Sequence, residues 1–265
     1  MNIQTPADTR PLLRRDEAGV AWLTLNRPAA RNALSVALLA ALDDALAAIA
    51  DDRSVRVVVI GGAGPAFCAG HDLREMRANP GRAATEALFA QCSGVMTRIV
   101  RLPKPVIARV HGIATAAGCQ LVASCDLAVA AADARFATPG VNIGLFCSTP
   151  MVALSRNVGR KAALEMLLTG DMIDAEHAQK IGLVNRVVPP DELDAAVAAL
   201  AEKIAGKSAL TVAIGKAAFY RQAELDLDAA YAYAGEVMTR NMMARDAAEG
   251  IDAFLGKRAP IWTDS

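Results

Sequence analysis

Over its first 150 residues the chain alternates between short β-branched runs and segments with helical apolar spacing, and no other feature narrows its fold as much. "GVAWLTLNRP" (19–28) sets Val20, Trp22 and Thr24 against Ala21, Leu23 and Leu25, then stops at Asn-Arg-Pro as a strand does. Behind a Ser35 N-cap, "SVALLAALDDALAAIADD" (35–52) places Leu38, Leu39, Leu42, Leu46 and Ile49 at helical spacing. "VRVVVIGGAG" (55–64) predicts a second strand ending in glycines. "PVIARVHG" (105–112) predicts a third, a helix follows over about 117–124, and "LAVAAAD" (127–133) reads as a fourth. Such alternation describes an α/β chain with buried strands.

Beyond residue 150 the pattern turns helical: "VALSRNVG", "KAALEMLLTG" closed by Gly170, and "AEHAQKIG" closed by Gly182. "DELDAAVAALAEKIAGK" puts Leu193, Val197, Leu200 and Ile204 on one face. From Ser208 to Gly256 the chain reads as nearly all helix, and Tyr231, Tyr233, Val237, Met238, Met242 and Met243 form an apolar surface suited to a core or to contact between copies.

Charge narrows the partners. Lys plus Arg equals Asp plus Glu at 28 each, so no global field favours nucleic acid or an anionic membrane, and the expected partner is a small molecule or another copy of the chain. The five cysteines have no CxxC spacing, which disfavours a disulfide framework and a zinc site and reads as reduced, cytoplasmic thiols. The N-terminal stretch "MNIQTPADTRPLLRRDE" has no apolar core of signal-peptide length and reads as a frayed terminus, and longer apolar tracts are interrupted before they could span a membrane. His71, His111 and His177 share no metal-ligand spacing, so no metal is expected. "GGAG" (61–64) fails as a dinucleotide fingerprint, because its third glycine would fall at Phe67 and no helix starts there.

Two segments carry more chemistry. "FCAGHDLREM" (67–76) and "HGIATAAGCQL" (111–121) each follow a strand and open a helix, where the first amides have no intrahelical acceptor and the helix dipole favours negative charge. Two such ends facing one another would make an oxyanion hole. A third stretch, "ATPGVNIGLFCSTP" (137–150), has the Pro-Gly break and Cys-Ser-Thr cluster of an active-site loop but no acid, base or charge.

With these motifs stand "LNRPAARNALS" (25–35), "LTGDMIDAEHAQKIGLVNRVVP" (168–189) and "ARDAAEGIDAF" (244–254), and in this order they resemble the enoyl-CoA hydratase/isomerase (crotonase) superfamily over more than four-fifths of the chain. The resemblance implies a ClpP/crotonase-like α/β spiral of ββα repeats over residues 1–200, with a C-terminal helical trimerisation region over 201–265 that builds a homotrimer or a dimer of trimers. It implies an acyl-CoA thioester as substrate, coenzyme A entering only as part of it, with no cofactor and no metal. The thioester carbonyl would be polarised by the backbone N–H groups of His71 and Ala117. Ala69 and Leu73 match positions that line the adenine pocket, Arg27 falls among the matched substrate-side positions, and Lys257 matches a tail lysine that reaches CoA phosphate.

The resemblance breaks where hydration needs an acid and a base. Standard hydratases place two glutamates there; the matching residues are Gln120 and Gly140, and neither carries a proton at neutral pH. Loss of each positioned group costs about 3 to 5 kcal/mol of transition-state stabilisation. Between Pro103 and Leu164 the only carboxylates are Asp126 and Asp133. Cys147 and Ser148 match positions where relatives carry substitute groups. Three readings stay open: decarboxylation or thioester hydrolysis in the same hole, weak hydratase or isomerase activity with Gln120 orienting a water, and non-catalytic acyl-CoA binding.

Overall fold

The computed structural model describes residues 8–265, so the reading of the extreme N-terminus lies partly outside the described residues. β1 (Leu12–Glu17) and β2 (Val20–Leu25) form an antiparallel hairpin. Parallel strands then follow: β3 (Val57–Gly62), β4 (Val106–Val110), β6 (Leu127–Ala131) and β9 (Arg186–Val188) complete a six-stranded sheet in the order β1-β2-β3-β4-β6-β9. A second sheet is built from three short strands, β5 (Ile113–Thr115), β7 (Arg135–Ala137) and β8 (Ile173–Asp174).

The spiral is visible in the register. Ile107 of β4 pairs with Leu127 of β6, and six residues further along the first turn Ile113 of β5 pairs with Arg135 of β7, so each turn gives one strand to each sheet. The strand expected over 105–112 is β4, and a second short strand, β5, follows it directly. Gly112 makes the break: its φ of +58° is left-handed, and a Cβ there would meet the Pro65 carbonyl at 2.3 Å.

Helices cover both faces of the large sheet, which is why its strands read as continuous apolar runs. On one face α1 (Val36–Asp51), α3 (Arg82–Arg101) and α4 (Ala117–Ser124) bury Leu38, Leu42, Leu46, Ile49, Val95 and Ile99 against Val58 and Ile60. The other face carries Val57, Val59, Ile107 and Val129, packed on Leu193, Val197 and Ala201 of α8 (Leu193–Ala205). The division expected between residues 200 and 201 thus falls inside a helix packed on the sheet. Between these elements lie α2 (Leu73–Ala78), α5 (Pro150–Asn157), α6 (Arg160–Thr169) and α7 (Ala175–Lys180).

After α8, α9 (Ala209–Gln222), α10 (Leu227–Met242) and α11 (Arg245–Leu255) leave the sheet. A buried polar cluster anchors α9: Lys216 donates to the Ile99 and Lys104 carbonyls and to Asp126, which also accepts from Tyr220 and from the Val106 amide. These partners lie where β4 and β6 begin, the edge opposite that from which the glycine-rich segments leave. Among the described residues no helix is long and apolar enough to cross a membrane.

Candidate active site

Three chain segments meet in the second layer. Leu34 bridges His71 in parallel: the Leu34 amide donates to Gly70 and Asp72 donates to Leu34. In that register the amides and carbonyls of the flanking residues face Leu34, and His71 turns its own N–H to the other side. One step along, Cys68 bridges Ala114, Thr115 N–H donates to the Cys68 carbonyl at 3.0 Å, and the Thr115 hydroxyl donates to the Ala69 carbonyl at 3.1 Å. One step further, Ala116 donates to Ala137 at 2.9 Å. The segments after Phe67, after β5 and after β7 are therefore stitched edge to edge.

Both motifs open helices, as expected, but only the second does so at the residue whose amide the site would use. α4 begins at Ala117, whose amide is an N-terminal orphan of the helix. α2 begins later, behind an Asp72 cap that accepts from Arg74 and Glu75, so the His71 amide is freed by the Leu34 bridge and not by a helix start. The two segments approach closely because two glycines allow backbone to touch backbone. A Cβ on Gly70 would lie 2.9 Å from Ala116 Cβ and 3.4 Å from Ala117 N; one on Gly118 would lie 2.1 Å from the Cys68 carbonyl oxygen. Ala116, between these contacts, holds φ 51° and ψ −118°, a conformation that suits glycine.

Arg27 is bonded within its own loop region. Its guanidinium donates to the Ala33 carbonyl and to Asp72 at 2.8 Å, holding the Asp72 carboxyl below the usual carboxylate range. Asn32, fully buried with φ 55°, accepts from Arg27 N–H and donates to the Ala63 and Ala66 carbonyls. Together Arg27 and Asn32 hold both ends of the loop that presents Ala69 and His71. Leu73 is exposed at the first turn of α2. Lys257 is exposed after α11 with φ 51°.

The His71 ring packs edge-on against Phe89 with centroids 5.5 Å apart. Burial lowers its pKa, outweighing the Leu34 backbone group beside the ring, which raises it, and so favours a neutral imidazole. Gln120 sits one turn into α4, 4% exposed, with its Oε1 unpartnered. Thr138, fully buried just after β7, has an unpartnered hydroxyl; sequence reasoning passed over it, and the available signal was a lone polar side chain in the run "FATPG".

Gly140 opens onto no free space. The Leu145 amide donates to its carbonyl at 2.9 Å, and a Cβ would stand 2.5 Å from the Leu145 oxygen and 2.9 Å from Cys147 Sγ. Cys147 is buried, and burial pushes its thiol pKa up. Ser148 is exposed, its hydroxyl 3.4 Å from the Phe146 carbonyl. The carboxylates in the surrounding sequence are elsewhere: Asp126 at the far sheet edge, Asp133 on the surface.

Comparison with known proteins now adds to this geometry. The family model described as enoyl-CoA hydratase/isomerase matches residues 15–265. The chain belongs to the enoyl-CoA hydratase/isomerase family. It is 48% identical over 249 residues to the mitochondrial enoyl-CoA hydratase domain-containing protein 3 of Rattus norvegicus, covering 94% of this chain and 83% of the relative. The crystal structure of the human enoyl-CoA hydratase domain-containing protein 3 superposes with a TM-score of 0.93 at 49% identity, over 96% of this chain and 100% of that one. An enoyl-CoA hydratase from Mycobacterium smegmatis also reaches 0.93, at 63% identity and over 95% and 98% of the two chains. The crotonase fold and the likeness to this branch of the family follow from these matches.

The expected cytoplasmic location is corrected by the same relatives, since the rat, mouse and human proteins are mitochondrial by name. The inference from cysteines was unsound for a physical reason. All five thiols are buried, and burial raises those of Cys68, Cys92 and Cys119 to about 12, so their unpaired state reports packing and not compartment.

Proposed function

We propose that this family member binds acyl-CoA thioesters with the carbonyl oxygen between the backbone N–H groups of His71 and Ala117, and that it stabilises an enolate-like oxyanion there without the acid-base pair of a hydratase. The observation that carries the reading is the approach of the two segments at Gly70, which brings the Ala117 nitrogen within 3.4 Å of where a Cβ would stand beside the unpaired His71 amide. Backbone donors fixed in this way stabilise a developing oxyanion without reorganisation, and one such donor contributes about 100- to 1000-fold in rate. No cofactor is needed beyond the coenzyme A that the substrate carries.

Gln120 and Gly140 stand where the resemblance expects glutamates. Gln120 orients but does not transfer protons, and the space beside Gly140 is taken by Leu145 and Cys147. Efficient hydration is therefore not the proposed reaction. Thioester hydrolysis through Cys147 loses support, because a buried thiol with a raised pKa supplies no thiolate. Decarboxylation of a malonyl-type CoA is the second reading. It needs the hole and walls without fixed charge, and the nearest carboxylates in sequence are bonded or exposed elsewhere.

Purified protein assayed with crotonyl-CoA, a malonyl-type CoA and a thiol reagent for released CoA tests the reading. Crotonyl-CoA turnover above about 10 per second would overturn the loss of hydration. Carbon dioxide release from the malonyl-type ester supports the second reading, and binding without turnover makes the chain an acyl-CoA binder.

The exposed Tyr231, Met238, Met242 and Met243 of the α10 region and Phe254 of α11 are proposed as the contact between copies, in a homotrimer or a dimer of trimers. Light scattering at micromolar concentration reads the assembly directly.

A further inference from the structure

His111 follows β4, and its ring joins two other parts of the chain. Arg109 Nη1 stands 3.1 Å from Nδ1, and the Gly64 carbonyl oxygen stands 2.8 Å from Nε2. These partners fix the chemistry of the ring. A guanidinium only donates, so Nδ1 accepts; a carbonyl only accepts, so Nε2 carries the proton. The other neutral tautomer loses both bonds, and the doubly protonated ring loses the one to Arg109. Arg109 in turn donates from Nε to Asp194 of α8, and a Cβ on Gly61 would touch Arg109 Cδ at 3.4 Å, so β3 leaves its side chain room to cross.

Gly64 lies in the loop that leads to the candidate site. Asn32 holds the Ala63 and Ala66 carbonyls, His111 holds the Gly64 carbonyl between them, and the Phe67 amide donates back to the His111 carbonyl at 3.0 Å. Cys68 then donates to Ile113 at 3.1 Å, and His71 stands three residues further on. The two tethers differ in kind. The Asn32 amide has one protonation form, whereas the His111 ring has three and only one of them makes both bonds.

We propose that His111 is a positioning residue whose tautomer, selected by Arg109, holds the loop over residues 63–66 and through it the His71 amide. The effect on binding rests on the acyl-CoA reading above; the tautomer does not. The relay runs from Asp194 through Arg109 and His111 to Gly64, and so starts on the helix that covers the other face of the large sheet. Its links are unequal. The Asp194 side chain is 76% exposed, so its pair with Arg109 contributes little, and the part-buried bond from Arg109 to His111 makes the selection.

The chain has three histidines, so nitrogen NMR of the full chain labelled at histidine resolves each imidazole, with His111 assigned by its loss in His111→Gln. At about pH 8, where an ordinary histidine is neutral, His111 should show the proton on Nε2 alone, and the two tautomers should mix in Arg109→Met. Calorimetry with a ketone analogue of butyryl-CoA, in which a methylene between carbonyl and sulfur prevents cleavage, reads the consequence. Binding should weaken about fivefold in His111→Ala and about threefold in Arg109→Met. His111→Gln, whose side-chain amide donates as Nε2 does and has no tautomers, should bind within about twofold of wild type, and adding Arg109→Met to it should cost nothing more. Thermal melting of each variant reports that it is folded. A proton on Nδ1, wild-type affinity in His111→Ala, or an Arg109→Met loss that persists beside His111→Gln each overturns the relay. If the wild-type chain does not bind the analogue, the acyl-CoA reading fails, and the NMR result still decides the tautomer.

Discussion

Two glycine-dependent contacts sit on either side of the candidate site and have opposite consequences. At Gly70 and Gly118 the absence of a side chain lets segments 68–71 and 115–118 close backbone on backbone. At Gly140 the same absence lets the chain from Leu145 to Cys147 fold over the position where a catalytic carboxylate would emerge. Close packing without a side chain joins two backbone segments in one region and lets a loop fold over its own glycine in the other.

Several substitutions would break or sharpen that contrast. Gly118→Ala should have the largest effect, because its Cβ would meet a main-chain oxygen at 2.1 Å and the backbone there has nowhere to move. Destabilisation of about 3 to 5 kcal/mol is expected in denaturant unfolding, with loss of acyl-CoA binding. Gly140→Ala meets a carbonyl at 2.5 Å and a thiol at 2.9 Å on a surface loop that can shift, so about 1 to 3 kcal/mol is expected. Equal losses at the two positions would erase the distinction between a rigid hole and a loop folded over a glycine.

Ala116→Gly tests the strain at the joint itself. Glycine takes φ 51°, ψ −118° freely, so the variant should gain about 1 kcal/mol of stability despite its more flexible unfolded chain. A loss instead would show that the alanine methyl packs better than it strains.

The smallest expected effect concerns Asp72. Arg27 depresses its folded-state pKa, so its contribution to stability is present above the ordinary carboxylate pKa near 3.8 and is lost as pH falls through the lower folded value. Asp72→Asn should therefore flatten the acid limb of a stability-versus-pH curve below about pH 4 and leave its neutral limb parallel to wild type. An unchanged acid slope would remove the Arg27 to Asp72 pair from the forces that hold the His71 loop.

Much of this was legible in the chain. The helical spacing of Leu38, Leu42, Leu46 and Ile49 marks α1, and the break at Gly170 marks the end of α6, because local periodicity and capping are properties of short windows. The start of α4 at Ala117 also follows from local sequence. β5 and β7 were not legible. Strands of three residues carry no periodicity, and they exist because each turn of the spiral supplies the edge on which the next one pairs. The partners of Arg27 were not legible for a related reason: whether a polar side chain meets a carbonyl or a carboxylate depends on what the rest of the chain brings to it.

By itself the sequence determined the α/β order, the family likeness and the absence of glutamates at 120 and 140, since each is written in residue identity and spacing. Only the tertiary structure decided that the His71 amide is freed by a bridge to Leu34, that Ala116 is held in a glycine-like conformation, and that Gly140 is covered by its own loop. The first two depend on contacts between segments tens of residues apart and the third on a loop folding back on itself, and in each the space left by one backbone fixes what another can place there.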